Sequence, residues 1–202
     1  MNYQKELDRV IAQHQRAGEV PKLLLHVCCA PCSSYCLEYL SDYFDITVYY
    51  YNPNISPESE YRFRLSEEER YISLRDFKNP VSITDSVYDP REFLDAVRGF
   101  EREPEGGKRC EKCFRLRLEA SAKKAKELGM DCFTTTLTIS PLKNAALLNE
   151  IGFELGEKYG VMWLPSDFKK REGYKRSIVL SREYDLYRQN YCGCAFSKIN
   201  RE

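Results

Sequence analysis

The sequence predicts an α/β protein: a doubly wound, mostly parallel five-stranded sheet with helices on both faces. Three observations carry this expectation. Short apolar or β-branched runs alternate with longer stretches of helical periodicity, which implies parallel pairing through helical crossovers. Glycines at positions 18, 129 and 160 close the helical stretches, and prolines at 31, 57, 90 and 141 open them. Hydrophobic residues make up 43% of 202 residues, enough for a substantial core.

In chain order, residues 3–17 read as an amphipathic helix. Tyr3, Leu7, Val10, Ile11 and His14 recur at helical spacing, and Gly18 ends it. His14 reads as a half-buried helix residue. Residues 22–28 form the first strand and 31–43 the next helix. Ile46 to Tyr51 is the second strand, stopped by Asn52-Pro53-Asn54. Ser56 and Pro57 read as N-cap and first residue of a helix to about residue 77. Residues 81–84 are a third strand. Asp89-Pro90-Arg91-Glu92 looks like a capping box. A loop at 101–108 precedes a helix that stops near Leu128. A fourth strand spans 132–137, and Ser140-Pro141 opens a helix that closes at Gly160. A fifth strand covers 161–164. A polar loop over 168–176, a helix to about Asn190 and a cysteine-bearing tail complete the chain. The whole reads as one domain over 1–202, with an N-terminal helix in 1–20 and a C-terminal loop, helix and Cys-Gly-Cys tail in 165–202.

Thirty-one acidic and 31 basic side chains cancel, so there is no global nucleic-acid signal, and any such binding must come from local patches. No apolar run approaches the roughly 20 residues that cross a bilayer. The N-terminal segment lacks the apolar core of a secretory signal, so a cytoplasmic protein without membrane partners is expected. In a reducing compartment nine cysteines point to metal binding or catalysis rather than a disulfide framework.

The chemistry concentrates in Leu23-Leu24-Leu25-His26-Val27-Cys28-Cys29-Ala30-Pro31-Cys32, an apolar strand that runs into cysteines where a helix begins. Free N–H groups and the helix dipole there favour thiolate. Adjacent Cys28 and Cys29 should point in different directions from the strand end. A second Cys-x-x-Cys pair, Cys110 and Cys113, also opens a helix. Two such pairs supply four thiolates, enough for tetrahedral zinc or an iron–sulfur cluster. Their place at the carboxyl ends of strands is where ligands bind in this architecture, which favours a functional centre. The extra cysteines favour iron. Cys28 could ligate a second metal, replace Cys32 as a cluster ligand or donate electrons, and spacing leaves these open. Cys192-Gly193-Cys194 would close a small, strained disulfide ring, better suited to electron transfer than to stability. Cys36 and Cys132 read as core. His26 reads as a satisfied buried histidine whose closeness to Cys28 leaves a site role open. Lys169, Lys170, Arg171, Lys175 and Arg176, interleaved by Tyr174, suit a phosphate backbone with base stacking, or equally a solvated loop. Asn52, Tyr61, Arg62, Lys169, Arg171 and Arg176 are the candidate substrate contacts.

Several stretches resemble the epoxyqueuosine reductases of the QueH type. They are Leu25-His26-Val27-Cys28-Cys29-Ala30-Pro31-Cys32-Ser33, Tyr51-Asn52-Pro53-Asn54-Ile55, Glu60-Tyr61, Arg109-Cys110-Glu111-Lys112-Cys113-Phe114-Arg115-Leu116, Thr135 to Pro141 and Tyr191-Cys192-Gly193-Cys194. The likeness spans roughly residues 22–196. It implies a cobalamin-independent enzyme that reduces epoxyqueuosine to queuosine at the wobble position of certain tRNAs, the last step of queuosine biosynthesis. It implies a [4Fe–4S] cluster with a neighbouring iron, held by Cys28, Cys29, Cys110 and Cys113, with Cys32 as a further candidate. Cys192 and Cys194 would then be a redox-active pair that, with Cys28, takes part in catalysis. An external electron donor is needed. The fold would be of the nucleotide-binding HUP/Rossmann-like type, with cysteines in place of the phosphate-cradling loop. Two rival readings are a thioredoxin-like thiol–disulfide oxidoreductase built on Cys29 and Cys32, and a zinc-stapled RNA-binding protein.

Overall fold

The computed structural model describes residues 1–199. Positions 200–202, the last of the expected tail, lie outside the described residues. Five strands form one parallel sheet in the order β3-β2-β1-β4-β5. They are β1 (Lys22–His26), β2 (Asp45–Tyr49), β3 (Val81–Thr84), β4 (Cys132–Thr135) and β5 (Met162–Trp163). The central strand β1 pairs with β2 and β4 along its two edges, and helices cover both its faces, so it is apolar from Leu23 to Leu25. Leu23, Leu24 and Leu25 are fully buried. Burial of each contributes about 1.5–3 kcal/mol.

The helices are α1 (Tyr3–Ala17), α2 (Ala30–Leu40), α3 (Glu58–Ser73), α4 (Pro90–Ala96), α5 (Lys108–Glu127), α6 (Ala145–Tyr159), α7 (Gly173–Glu183) and the short α8 (Ala195–Ile199). Side chains of α1, α2 and α3, with Phe168 and Leu186, close one face of the sheet. Side chains of α5 and α6 close the other. At Gly152 in α6 a Cβ would stand 2.2 Å from the Trp163 ring, so only glycine lets α6 lie against β5. No helix among the described residues is long and apolar enough to cross a membrane.

Several boundaries differ from the sequence expectation, each for a local reason. Pro57 rather than Ser56 is the N-cap of α3, and the helix stops at Ser73. Asp89 caps α4 by accepting the Arg91 amide at 2.9 Å, but Glu92 does not complete the box: it accepts the Tyr51 hydroxyl instead. The fourth strand ends at Thr135 because Thr136–Ile139 tightens into a 3-10 turn. Ser140-Pro141 does not open α6. Ser140 Oγ takes the Leu142 amide in a turn, and Asn144, accepting the Leu147 amide at 3.1 Å, is the true cap. The last long helix ends at Glu183, not near residue 190, because the Leu186 amide turns back to the Ser181 carbonyl at 2.8 Å and satisfies the helix end.

The strand order reverses direction between β1 and β4. At this switch point the connections leave on opposite faces and open a crevice at the carboxyl ends. Residues 27–32 and 136–143 lie there.

Candidate metal centre

β1 stops at His26, and the chain turns before α2. Cys29 is the N-cap of α2 in an extended conformation (φ −172°, ψ 153°), and Pro31 sits in the first turn. Because the strand has already ended, Cys28 and Cys29 do not diverge as adjacent strand residues would: their sulfurs lie 3.8 Å apart. Cys32, one turn into α2, joins them, and the three sulfurs lie within 4.8 Å of one another. Three thiols so close suit a thiophilic metal. They also share protons. Hydrogen bonds from Cys29 and Cys32, aided by the charges of Lys143 and Arg117, hold Cys28 well below the usual thiol range. The hydrogen bond to Cys28 pushes Cys29 up to about 12 and raises Cys32 as well. Of the three, Cys28 is therefore the sulfur that its neighbours favour as thiolate.

His26 is fully buried. Its Nε2–H donates to the Tyr51 carbonyl at 3.0 Å, and Nδ1 accepts the Thr135 hydroxyl at 2.9 Å. Burial, then the Arg117 charge, lowers its pKa to about 3, so the ring stays neutral and braces β1 against β2 and β4. Asn52 is 1% exposed. It donates to the Val27 carbonyl at 2.8 Å and accepts from Arg117 Nη1 at 3.3 Å, tying the cysteine turn to α5.

The Cys110/Cys113 pair opens α5, as expected. It does not close with the first pair into one group of four. Among the described residues, Cys28, Cys29 and Cys32 form the group of three or more potential metal ligands that close. Cys110 and Cys113 instead line a small cavity with Cys192, Cys194, Arg109 and Arg117. The Gly106 amide donates to Cys110 Sγ at 3.2 Å. Burial pushes Cys113 up to about 12. Several contacts dock the tail, among them Phe196 against Phe93 and Arg109, and Ser197 on Glu105. Arg64, 1% exposed, donates to the Cys192 carbonyl at 3.3 Å and lies over the Tyr191 ring; the Ser56 amide donates to the Gly193 carbonyl at 3.0 Å. Gly193 takes φ +108°, and a Cβ there would stand 3.0 Å from both Arg64 and Ile55. All nine cysteines are free thiols, and Cys36 and Cys132 are buried in the core.

A larger cavity of about 350 Å³ opens on the triad. Cys28, Cys32, Arg117, Lys143, Tyr174 and Cys192 are among its walls, and Cys192 and Arg117 also line the smaller cavity. The two sulfur groups are thus adjacent chambers with a shared wall.

The family model described as "Epoxyqueuosine reductase QueH" matches residues 23–200. The chain belongs to this family. It is 47% identical to the epoxyqueuosine reductase QueH of Staphylococcus epidermidis, over all of this chain and 86% of that protein. It is 45% identical to that of Streptococcus pyogenes over 98% of this chain and 78% of the other. It is 38% identical to that of Thermotoga maritima over 89% and 91%.

In this QueH-family chain Tyr61, Arg62, Lys169, Arg171 and Arg176 line neither cysteine cavity, whereas Tyr174 from the same basic stretch lines the larger one. Tyr61 is buried with its hydroxyl near Ser86 Oγ and the Tyr50 carbonyl, and Arg62 pairs with Glu58. Lys169 pairs with the neighbouring Asp167, while Arg171 with Asp8 and Arg176 with Glu38 tie α7 and its preceding loop to α1 and α2. The cations that do face the larger cavity, Lys143, Arg188 and Arg117, went unread in the sequence. One signal was available for Arg117: with Arg109 and Cys113 it forms an i, i+4, i+8 stripe on one helix face. Gln189, whose Oε1 is buried without a hydrogen-bond partner and which lines the same cavity, gave no such signal.

Proposed function

We propose that this chain is a cytoplasmic iron–sulfur reductase that converts epoxyqueuosine to queuosine in tRNA. The observation that carries the reading is the close three-thiol group at the sheet's switch point in a member of the epoxyqueuosine reductase QueH family. The donor set fits the implied group, since soft thiolates are the ligands iron–sulfur clusters use. Cys28, Cys29, Cys110 and Cys113 would hold a [4Fe–4S] cluster and its neighbouring iron, with Cys32 available as a further ligand. When bound, this centre supplies one-electron transfer, and an open iron site supplies Lewis acidity toward oxygen.

The reaction breaks both epoxide C–O bonds, forms a C=C bond and releases the oxygen as water, consuming two electrons and two protons. Oxidation of the Cys192 and Cys194 thiols to a disulfide releases two electrons and two protons, which matches this demand. An external donor would return the pair to thiols. The larger cavity, about 350 Å³, is within the usual range for a small-ligand site. Lys143 and Arg188 bring positive charge to it, suited to the phosphates that position a nucleic acid. Tyr174 and Tyr191 offer rings for a splayed base.

The test is anaerobic purification, iron analysis and incubation with tRNA carrying epoxyqueuosine and a reductant. The nucleosides are then examined for loss of one oxygen atom. Iron-containing protein that completes the conversion is expected, with tRNA binding that weakens steeply as salt rises. A zinc-containing, iron-free protein that leaves the epoxide intact would overturn the reading. So would an iron-replete protein whose Cys29→Ala variant reduces the tRNA at the parent rate.

A further inference from the structure

Arg109, Cys113 and Arg117 stand four residues apart on α5 and so share one face. Both arginines are almost fully buried, 2% and 1% exposed. Arg109 donates from Nη1 to the carbonyls of Glu101, at 2.8 Å, and Glu103. Its Nε and Nη2 meet no hydrogen-bond partner. Arg117 donates to the Asn52 side-chain carbonyl and, at 3.5 Å, to the Cys113 carbonyl, and its Nη2 meets none. Every hydrogen bond these two guanidiniums make is thus to a neutral acceptor. Both line the small cavity whose walls include Cys110, Cys113, Cys192 and Cys194. Arg117 is also within electrostatic reach of Cys28, Cys113, Cys192 and Cys194.

An arginine cannot shed its proton at any accessible pH, so burial does not neutralise it. A buried charge with unmet N–H groups is costly unless an anion meets it. The cavity, about 20 Å³, has room for roughly one water, which carries no charge. Besides the carboxylate of Glu105, which accepts from Ser197 Oγ at 3.4 Å while the hydrogen bonds of the two guanidiniums run to backbone and amide carbonyls, thiolates are the anions the walls can supply, and metal binding is what makes buried thiols give up their protons. We propose that Arg109 and Arg117 are the built-in counter-charge of the metal–thiolate centre, favouring its formation and its reduced state. The proposal rests on the iron–sulfur reading above. Neither arginine need touch the substrate; both act through the centre, so their signature is a potential rather than a rate. Reduction adds an electron and thus negative charge, which a buried cation stabilises.

The test compares iron content and the midpoint potential of the iron-loaded parent with Arg117→Gln, Arg117→Lys and Asn54→Asp, followed by visible absorption and electron paramagnetic resonance. Asn54 is 2% exposed, has an unpartnered Oδ1 and lines the same cavity, so aspartate there adds a carboxylate at nearly constant shape. Arg117→Gln should shift the reduction equilibrium at least tenfold toward the oxidised centre, a potential about 59 mV lower for one electron. Arg117→Lys, which keeps the charge, should restore most of that shift. Asn54→Asp should lower the potential in the same sense while raising the melting temperature of the metal-free protein, because its carboxylate meets a guanidinium. If Arg117→Gln fails to fold, Asn54→Asp alone decides. Full iron loading with an unchanged potential in Asn54→Asp, or in a folded Arg117→Gln, would overturn the proposal. A parent protein that takes up no iron would instead defeat the iron–sulfur reading itself.

Discussion

The two sulfur chambers are built by opposite means. The triad of Cys28, Cys29 and Cys32 is local: five consecutive residues and the first turn of one helix bring its sulfurs within 4.8 Å. The Cys110, Cys113, Cys192 and Cys194 chamber is assembled from a helix start and a tail that are distant in sequence, and two buried arginines stand in its wall. Their protonation differs accordingly. Proximity lowers the pKa of Cys28 within the triad, whereas burial raises that of Cys113. A short loop fixes geometry with little loop-closure entropy; a long-range chamber depends on everything that docks the tail.

This contrast can be broken most directly by mutation. Cys29→Ala should abolish iron retention and lower the rate of tRNA reduction by more than about 100-fold, beyond the 10–100-fold typical of outer-shell changes. Iron analysis and turnover assays check this. Arg64→Met, which loosens the tail without replacing a cysteine, should leave the triad's thiols as they were and cost far less iron, while still slowing turnover because the proposed reaction draws its electrons from Cys192 and Cys194. Next is reactivity in the metal-free protein. Because the Cys28 pKa is lowered, its thiolate persists as pH falls. Alkylation followed by mass spectrometry should label Cys28 at pH 6.5 at least about tenfold faster than Cys113, whose thiol is pushed up to about 12. Equal labelling of the two would erase the distinction.

A third experiment isolates the triad's support. Glu68, fully buried, accepts the Ser33 hydroxyl at 2.7 Å beside Cys32, and burial raises its pKa from 4.5 to about 8. The folded state therefore binds a proton more tightly than the unfolded chain. Its neutral form is fully accommodated below about pH 4.5, and stability is lost as pH rises through about 8. Between these values the loss approaches about 1.4 kcal/mol per pH unit. Glu68→Gln should flatten that slope in denaturant titrations at several pH values. The smallest effect belongs to the tail. Gly193→Ala forces a side chain into φ +108° against Arg64 and Ile55, at an expected cost of about 1–3 kcal/mol of local docking. Faster proteolysis near residue 193, with unchanged Cys28 reactivity, is the expected result.

The sheet was legible because its signals are short-range: an apolar run at Leu23-Leu24-Leu25, glycine stops at 18 and 160, and Asn-Pro-Asn after the second strand. The cysteine turn was legible for the same reason, though the convergence of Cys28 and Cys29 depended on the strand ending at His26. Where sequence reading faltered, tertiary context decided. Ser140-Pro141 has the form of a helix start, yet Asn144 held the better-placed acceptor. The basic run from Lys169 to Arg176 leaves a phosphate-binding patch and a solvated loop equally open, and the ion partners Asp8 and Glu38 lie far away in sequence while Asp167 is a near neighbour. Arg64, Arg109 and Arg117 look like solvated helix charges in any window, and only packing reveals that they are buried.

The docking of Cys192 and Gly193 onto Arg64 and Ser56 also has a temporal meaning. During synthesis the triad, and the strand and helix that carry it, leave the ribosome long before the tail does. The three thiols can gather before the tail arrives, but both cavities wait for it, since Cys192 walls each of them. A nascent chain thus gathers its triad early and encloses it late, so the thiols stay open to solvent until residues 188–192 have been made and folded back.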